Sequence, residues 1–201
     1  IYNFEPENVT FLKDEEATRQ NIYNRLREYV EIVGPNDNFM LFFAGHGYFD
    51  DLLNEGYWVP VDGELNSMGD YLSNSDILKV VKEIKSQHTF LVADACFSGS
   101  LFMDGNRGYI ENVEKFRSRW ALASGRLEAV SDGSTNNSPF TRTLLNYLGR
   151  NMKEKIAVSE VVQYVKFNVP EIADQTPVGN PLRNIGDEGG EFILYRRTLE
   201  F

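Results

Sequence analysis

The chain has 201 residues, of which 42% are hydrophobic, and its 20 Lys and Arg against 30 Asp and Glu give a formal net charge of −10. These values predict one folded domain with a real core, and the acidity disfavours nucleic acid and anionic membrane surfaces as partners. A single cysteine excludes an internal disulfide, and two histidines leave few ligands for a structural zinc site. The absence of a long apolar run and of a signal peptide predicts a reduced, cytoplasmic setting.

The first half of the chain predicts two helices among short strands. Strands are predicted at residues 9–12, 39–44 and 57–59. The first helix is predicted to begin after Asp14 or Thr18, and the second after Ser73 or Ser75, because these side chains can serve as N-caps. The unbroken apolar run 39–44 is typical of a strand buried on both faces in a parallel sheet.

The second half continues the alternation of strands and helices. Strands are predicted at residues 89–93, 120–123 and 191–195, and helices begin at Ser138 and at Ser159. Pro139 strengthens the first of these helix starts, because proline suits the first helical position. The alternation predicts an α/β fold with an open, mostly parallel sheet flanked by helices on both faces. Ligands of such sheets bind at the carboxyl ends of the strands.

Two predicted strands end in residues that carry chemistry. One strand is followed by Gly45-His46-Gly47, and the next long apolar strand is followed by Asp94-Ala95-Cys96-Phe97-Ser98-Gly99. A cysteine becomes a nucleophilic thiolate when a base such as histidine lies nearby, and glycines allow close approach to the imidazole. The pattern favours a His46/Cys96 pair, although each residue alone has a structural interpretation. His88 has no such flank, and we expect it to be structural.

These motifs resemble the caspase-like cysteine peptidases. Prokaryotic caspase homologues (orthocaspases) are the most similar branch, with metacaspases as relatives. His46 and Cys96 are 50 residues apart, close to the caspase spacing. The similarity continues through residues 122–126, 131–133, 138–141 and 189–192, so it covers nearly the whole chain. It implies a three-layer α/β sandwich formed by a single peptidase domain, residues 1–201.

The resemblance implies a mechanism for residues of this chain. His46 would polarise the scissile carbonyl or deliver a proton to the leaving amine, and Cys96 would attack as the thiolate. The backbone N–H groups of Gly47 and Cys96 would form the oxyanion hole. No Asn or Asp is identifiable as a third member. Neither a metal nor a cofactor is expected for this chemistry.

Carboxylates around the expected cleft predict cleavage after Arg or Lys in a protein or peptide substrate. Asp94 stands where animal caspases, which cut after aspartate, have a glutamine, and Asp132 falls near the position of a pocket arginine. Two carboxylates in a narrow cleft suit a guanidinium or an ammonium group. Glu128 is a third candidate, and Ser124 lies in the segment similar to the second half of the cleft. Turn chemistry is the alternative for Asp94 and Asp132.

The segment 100–119 corresponds to a region that often carries a cleavable linker in the resembled family. Its basic residues are Arg107, Lys115, Arg117 and Arg119. Self-processing there is one hypothesis, and an ordinary polar surface loop is the other.

Calcium, which many metacaspases require, has no clear site in the sequence. The acidic residues that follow the His46 loop are Asp50, Asp51, Glu55 and Asp62. They lack the spacing of a calcium-binding loop, so we interpret them as solvated surface.

Two other functions remain open at this point. One is a legumain-like or gingipain-like peptidase of the same clan, and the other is a catalytically silent caspase-like module that only binds partners. The resembled family also has a strand and a helix ahead of residue 9. We therefore expect these elements upstream in a larger protein or in a separate chain, together with an upstream sensor or repeat domain or a partner chain.

Overall fold

The computed structural model describes residues 1–95, 113–125 and 137–197. Within these ranges the elements are α1 (Arg19–Ile32), β1 (Asn38–Ala44), β2 (Gly47–Asp50), β3 (Glu55–Trp58), β4 (Leu72–Ser73), α2 (Asn74–Glu83), β5 (His88–Asp94), β6 (Ser118–Ala123), α3 (Pro139–Arg150), β7 (Lys155–Ala157), α4 (Val158–Asn168), β8 (Val178–Pro181) and β9 (Ile193–Tyr195). None of the helices in these parts of the chain has the length and apolar character needed to cross a bilayer.

The central sheet has four strands in the order β1-β5-β6-β8. Strands β1, β5 and β6 run parallel, and β8 pairs antiparallel with β6. This topology confirms the predicted mostly parallel α/β sheet. Two smaller sheets, β2-β3-β4 and β7-β9, lie beside it. The predicted closing strand is β9, and it belongs to the small sheet with β7 rather than to the central one.

Strand β5 shows how the two faces of the sheet are covered. All seven of its residues are buried, and they alternate between two hydrophobic layers. Leu91 and Ala93 pack in the layer that includes residues of α1 and α2. Phe90 and Val92 pack in the opposite layer, with residues of α3 and α4. The protein is therefore a three-layer sandwich, as predicted.

Three of the predicted N-caps are present, whereas Asp14 lies in a separate 3-10 turn, Asp14–Glu16, ahead of α1. The side chains of Thr18, Ser73 and Ser138 accept hydrogen bonds from backbone N–H groups in the first turns of α1, α2 and α3, at 3.2, 3.0 and 2.9 Å. The prediction that α4 begins at Ser159 was wrong by one residue. That helix begins at Val158, and its N-cap Ala157 has no side chain that can accept a bond.

The strand predicted at residues 9–12 is absent, and the strand predicted at residues 39–44 is present as β1 but is not buried on both faces. Residues 9–12 are not a strand: Val9 is 57% and Phe11 74% accessible, and Leu12 is half-buried. Among the described strands, β1 lies at the edge of the central sheet. Its Phe42 is 44% exposed.

The structure contradicts one of the candidate self-cleavage points, Arg119. It lies within β6 and is 1% exposed, so a peptidase cleft cannot reach it in the folded protein. Its guanidinium donates to the carbonyls of Ile84 at 3.3 Å and Ser86 at 3.0 Å. It also donates to the carbonyls of Gln87 and Ser118, at 3.3 and 2.9 Å. Arg119 therefore joins the end of α2 to the starts of β5 and β6.

Candidate active site

The candidate nucleophile and base follow the carboxyl ends of two hydrogen-bonded strands. Ala44 of β1 is paired in register with Asp94 of β5. The next residue, Gly45, donates its N–H to the carbonyl of Asp94 at 3.2 Å. His46 and Cys96 each come two residues after one member of this pair. The sheet therefore delivers both segments to the same edge, and Cys96 itself lies outside the described residues.

The loop that carries His46 is fixed by its backbone and leaves the residue accessible. His46 is exposed, while its carbonyl accepts the N–H of Val59 at 3.0 Å. Gly47 begins β2 and pairs with Trp58 of β3. A Cβ atom at Gly45 would lie 3.0 Å from the ring of Phe43, so a larger residue would crowd the loop. Gly45 is therefore the residue that fits beside Phe43 without a shift of that ring.

Ser124 fixes the backbone that leads into Cys96. It is 3% exposed and donates its hydroxyl to the carbonyl of Ala95 at 3.2 Å. Its N–H donates to the carbonyl of Ala93 at 3.0 Å. The side chain that we expected in the substrate cleft is thus buried against the residue before Cys96. Direct contact between Ser124 and a substrate stays a prediction.

Asp94 connects the end of β5 to the start of α3. Its side chain is almost buried, with 8% of the residue exposed. Oxygen Oδ2 accepts a hydrogen bond from the hydroxyl of Ser138 and another from Thr141 Oγ1 at 2.5 Å. Sequence reasoning identified Ser138 only as a helix cap and did not identify its bond to Asp94. The hydroxyls at Ser138 and three residues later were the available signal.

Gly125 determines how the chain leaves β6 next to this edge. Its φ of +120° lies in the region that favours glycine, and a Cβ atom there would lie 2.5 Å from the carbonyl oxygen of Thr176. The segment 122–126, which we expected to contribute to the second half of the cleft, therefore contains a position that requires glycine.

Several predicted site residues lie outside the described residues. These are Cys96, with its part of the oxyanion hole, Glu128 and Asp132, together with the candidate cleavage point Arg107. The predicted site residues that the structure describes are therefore His46, Gly47, Asp94 and Ser124.

The acidic residues after His46 do not form a metal centre. In the part of the chain that the structure describes, no group of three or more His, Cys, Asp or Glu side chains could hold a metal ion. Asp50 accepts the N–H of Leu52 at 2.8 Å within its own turn. Asp62 accepts the N–H of Arg19, also at 2.8 Å, at the start of α1. Asp50 and Asp62 therefore bind backbone N–H groups in separate parts of the fold.

His88 lies at the opposite end of β5 from Asp94 and is buried, which confirms its structural place. It is 6% exposed, and its Nδ1 is 2.8 Å from Ser118 Oγ. Its ring stacks on Phe192 with 6.0 Å between centroids. Burial lowers the pKa of His88 below its usual value.

Comparison with known proteins places this architecture in a family. The family model of the caspase domain, peptidase family C14, matches residues 3–181. Metacaspase-1 of Eremothecium gossypii is 24% identical over 85% of this chain, which spans 42% of that protein's length. A crystal structure of a Geobacter sulfurreducens protein shares the fold, with a TM-score of 0.62, 16% identity, and coverage of 90% of this chain and 80% of that one. The chain belongs to the caspase-domain family of peptidases.

Proposed function

We propose that the protein is a cysteine endopeptidase that cuts after Arg or Lys with a His46/Cys96 dyad. The observation that carries this proposal is the in-register pair of Ala44 and Asp94, because His46 and Cys96 each follow it by two residues on neighbouring parallel strands. Open α/β sheets bind their ligands at this end of the strands.

The dyad accounts for the bond changes in peptide cleavage. The thiolate of Cys96 attacks the scissile carbonyl carbon, while the N–H groups of Gly47 and Cys96 stabilise the oxyanion. The C–N bond then breaks, and His46, which took the thiol proton of Cys96, gives this proton to the leaving amine. Water hydrolyses the remaining thioester and restores the thiol. A reduced, cytoplasmic setting would keep Cys96 available for this cycle.

Asp94 is the described residue that best supports a preference for a basic side chain. Its carboxyl lies next to the segment that carries Cys96, and the two hydroxyls on Oδ2 keep it in one orientation. A carboxyl held in place presents a defined acceptor to a guanidinium. Asp132 and Glu128 complete the proposed pocket.

The activity is tested with fluorogenic peptides that end in Arg, Lys, Asp or Asn. We expect cleavage of the Arg and Lys peptides by the wild type, loss of cleavage after alkylation of the thiol, and at least about 10²-fold slower cleavage by Cys96→Ala and His46→Ala. His88→Gln is the matched control, because this histidine is far along the strand from the site. If none of the peptides is cleaved in a thiol-dependent way, with or without calcium, the silent binding module becomes the better interpretation.

The substitution Asp94→Asn tests the proposed role of Asp94 in substrate preference without removing its hydrogen bonds to α3. Asparagine keeps an oxygen that can accept the hydroxyls of Ser138 and Thr141, but it removes the negative charge. We expect the fold to persist and the preference for Arg over Gln at the cleaved position to fall. A retained preference would assign Asp94 to the turn alone.

Self-processing remains a proposal for the basic residues ahead of β6. Lys115 is exposed, whereas Arg117 is half-buried and its carbonyl accepts the N–H groups of Glu188 and Gly190, both at 3.0 Å. Among the described residues of this segment, we therefore expect cleavage after Lys115 before Arg117. Identical fragments from wild type and Cys96→Ala would exclude self-processing.

The open edge of β1 supports the proposal of an additional strand and helix. Phe42 and Ala44 are exposed on this strand, and its hydrogen-bonded neighbour in the sheet is β5. We propose that an upstream part of the parent protein, or a partner chain, pairs with β1. A longer version of the chain would then protect the β1 amides from hydrogen exchange, and an unchanged exchange rate would contradict this arrangement.

A further inference from the structure

Three tyrosines form an aromatic surface on or next to the small sheet β2-β3-β4, beside the candidate site. We refer to Tyr48, Tyr57 and Tyr71 as the tyrosine patch. Tyr48 and Tyr57 are paired across β2 and β3, with ring centroids 6.2 Å apart. Tyr71 lies 6.2 Å from the first ring and 6.4 Å from the second. Tyr48 is 40% exposed, whereas Tyr71 is 6% exposed, so the patch has an open rim and a buried base.

The patch is held at a fixed place relative to His46. Tyr48 follows His46 by two residues, which in an extended strand corresponds to about 7 Å. The bond from Val59 N–H to the His46 carbonyl ties the end of β3 to the same loop. Trp58 of β3 stacks on Phe43 of β1 with 4.4 Å between ring centroids. A peptide bound at His46 would therefore pass close to these rings.

Three carboxylates lie near the patch, together with a cation, the guanidinium of Arg19, whose Nε donates to the carbonyl of Tyr71 at 3.2 Å. Asp50 and Glu55 are cross-strand partners on β2 and β3, and Asp76 lies in the first turn of α2. Burial raises the pKa of Tyr57, and the charges of Glu55, Asp50 and Asp76 raise it further. The three carboxylates therefore act on this phenol in the same direction as its burial.

The hydrogen-bond partners of these carboxylates differ in charge. Glu55 accepts from the N–H of Ser75 at 3.2 Å and from the Ser75 hydroxyl, which are neutral donors. Asp50 accepts backbone N–H groups of its turn. Asp76 instead pairs with Lys79 at 3.0 Å. The negative charge that remains beside the rings therefore comes mainly from Glu55 and Asp50.

We propose that the tyrosine patch binds a second basic side chain of the substrate, at a position other than the one after which the chain is cut. Cations bind to the faces of aromatic rings, and nearby carboxylates strengthen the attraction. The net charge of −10 favours the same partner. This inference rests on the proposed function, and it would make the enzyme selective for substrates with two basic residues near the cleavage site.

The first experiment compares pairs of peptides that share Arg at the cleaved position. Each pair carries either Arg or the neutral isostere citrulline at one other position, scanned on both sides of the cut. We expect the wild type to favour Arg at one position by about 2- to 10-fold in kcat/KM, mainly through KM. Tyr48→Ala should bring this ratio to about 1, while Tyr48→Phe, which keeps the ring, should retain it.

The matched control is Tyr164→Ala. Tyr164 is 37% exposed and stacks on Tyr147 of α3 with 4.3 Å between ring centroids, on a part of the surface formed by α3 and α4. This variant removes a similar tyrosine and should keep the wild-type ratio. A ratio of about 1 in the wild type at every position, or an unchanged ratio in Tyr48→Ala, would overturn the proposal.

A second experiment separates the patch from the peptidase activity. Binding of tetra-arginine and tetra-citrulline peptides is measured by calorimetry on Cys96→Ala protein, with and without Tyr48→Ala. Tighter binding of tetra-arginine that depends on Tyr48 supports the patch even if the wild type cleaves no peptide. Equal binding with and without Tyr48 rejects the patch even if the wild type cleaves after Arg.

Discussion

The N–H of Gly45 donates to the carbonyl of Asp94 at 3.2 Å, which joins the residue before His46 to the residue two positions before Cys96. The side chain of the same Asp94 accepts the hydroxyls of Ser138 and Thr141 at the start of α3. One residue therefore connects the His46 loop, the end of β5 and helix α3. Changes at α3 should reach the candidate site through Asp94.

Replacing Ser138 by alanine should destabilise the fold by about 1–2 kcal/mol, because it removes both the N-cap of α3 and a hydroxyl bound to Asp94. Urea unfolding of the two proteins measures this change. Ser159→Ala is the control: Ser159 was predicted to begin α4 but is not its N-cap, so the variant should stay within about 0.5 kcal/mol of the wild type. Equal losses in the two variants would show that the Ser138 contacts contribute little.

Replacing Arg119 by methionine should cost at least about 3 kcal/mol, because it leaves the carbonyls of Ile84, Ser86 and Gln87 without the guanidinium that donates to them. Arg150→Met removes an exposed arginine at the end of α3 and should change the free energy of unfolding by about 0.5 kcal/mol or less. Thermal or urea unfolding compares the variants. Similar stability of both would contradict the anchoring role of Arg119.

The stability of the protein should fall as the pH decreases below about 6.5, in part because of His88. Burial lowers the pKa of His88 from its usual 6.5, so the folded protein keeps the imidazole neutral where the unfolded chain is already protonated. The unfolded state then binds more protons, and stability declines with falling pH. Above pH 6.5 this contribution is complete.

The measurement for His88 is the urea midpoint at pH 7.5 and pH 5.5. His88→Gln should show a smaller drop between the two values than the wild type, because the carboxylates common to both proteins contribute equally. The same drop in both proteins would mean that the buried imidazole does not contribute to the pH dependence.

Two glycine substitutions should change stability in opposite directions. A Cβ atom at Gly190 would lie 1.7 Å from the carbonyl oxygen of Phe116, so Gly190→Ala requires the backbone to move and should unfold or strongly destabilise the protein. Gly149 lies in α3 with open space around it, and Gly149→Ala should stabilise by up to about 1 kcal/mol. Thermal unfolding shows both effects, and destabilisation by Gly149→Ala would contradict this description of α3.

The sequence was sufficient for those parts of the fold that depend on local chemistry. Ser73 and Ser138 were recognisable as N-caps, and the apolar segment of β5 was recognisable as a buried strand. These features follow from hydrogen-bonding groups and hydrophobicity within a few residues. The site edge was predictable for a related reason, since parallel strands place their carboxyl ends together.

Features that depend on distant residues were not predictable in this way. The burial of Arg119 is made possible by carbonyls more than 30 residues away in sequence, at Ile84, Ser86 and Gln87. The apolar run of β1 looks like that of a central strand, because hydrophobicity does not report whether a neighbouring strand is present. The bond between Asp94 and Ser138 spans 44 residues, so the hydroxyls of Ser138 and Thr141 do not by themselves show which acceptor they bind.

The position of β6 determines what a cut in the chain would do to the molecule. Strand β6 is paired with β5 over the six positions from His88↔Ser118 to Ala93↔Ala123, and both strands are buried along their length. A break between residues 96 and 112 would leave β5 on one fragment and β6 on the other, in the middle of the same sheet. The two fragments should therefore remain a complementing pair, which separates on a denaturing gel but elutes as one particle in buffer.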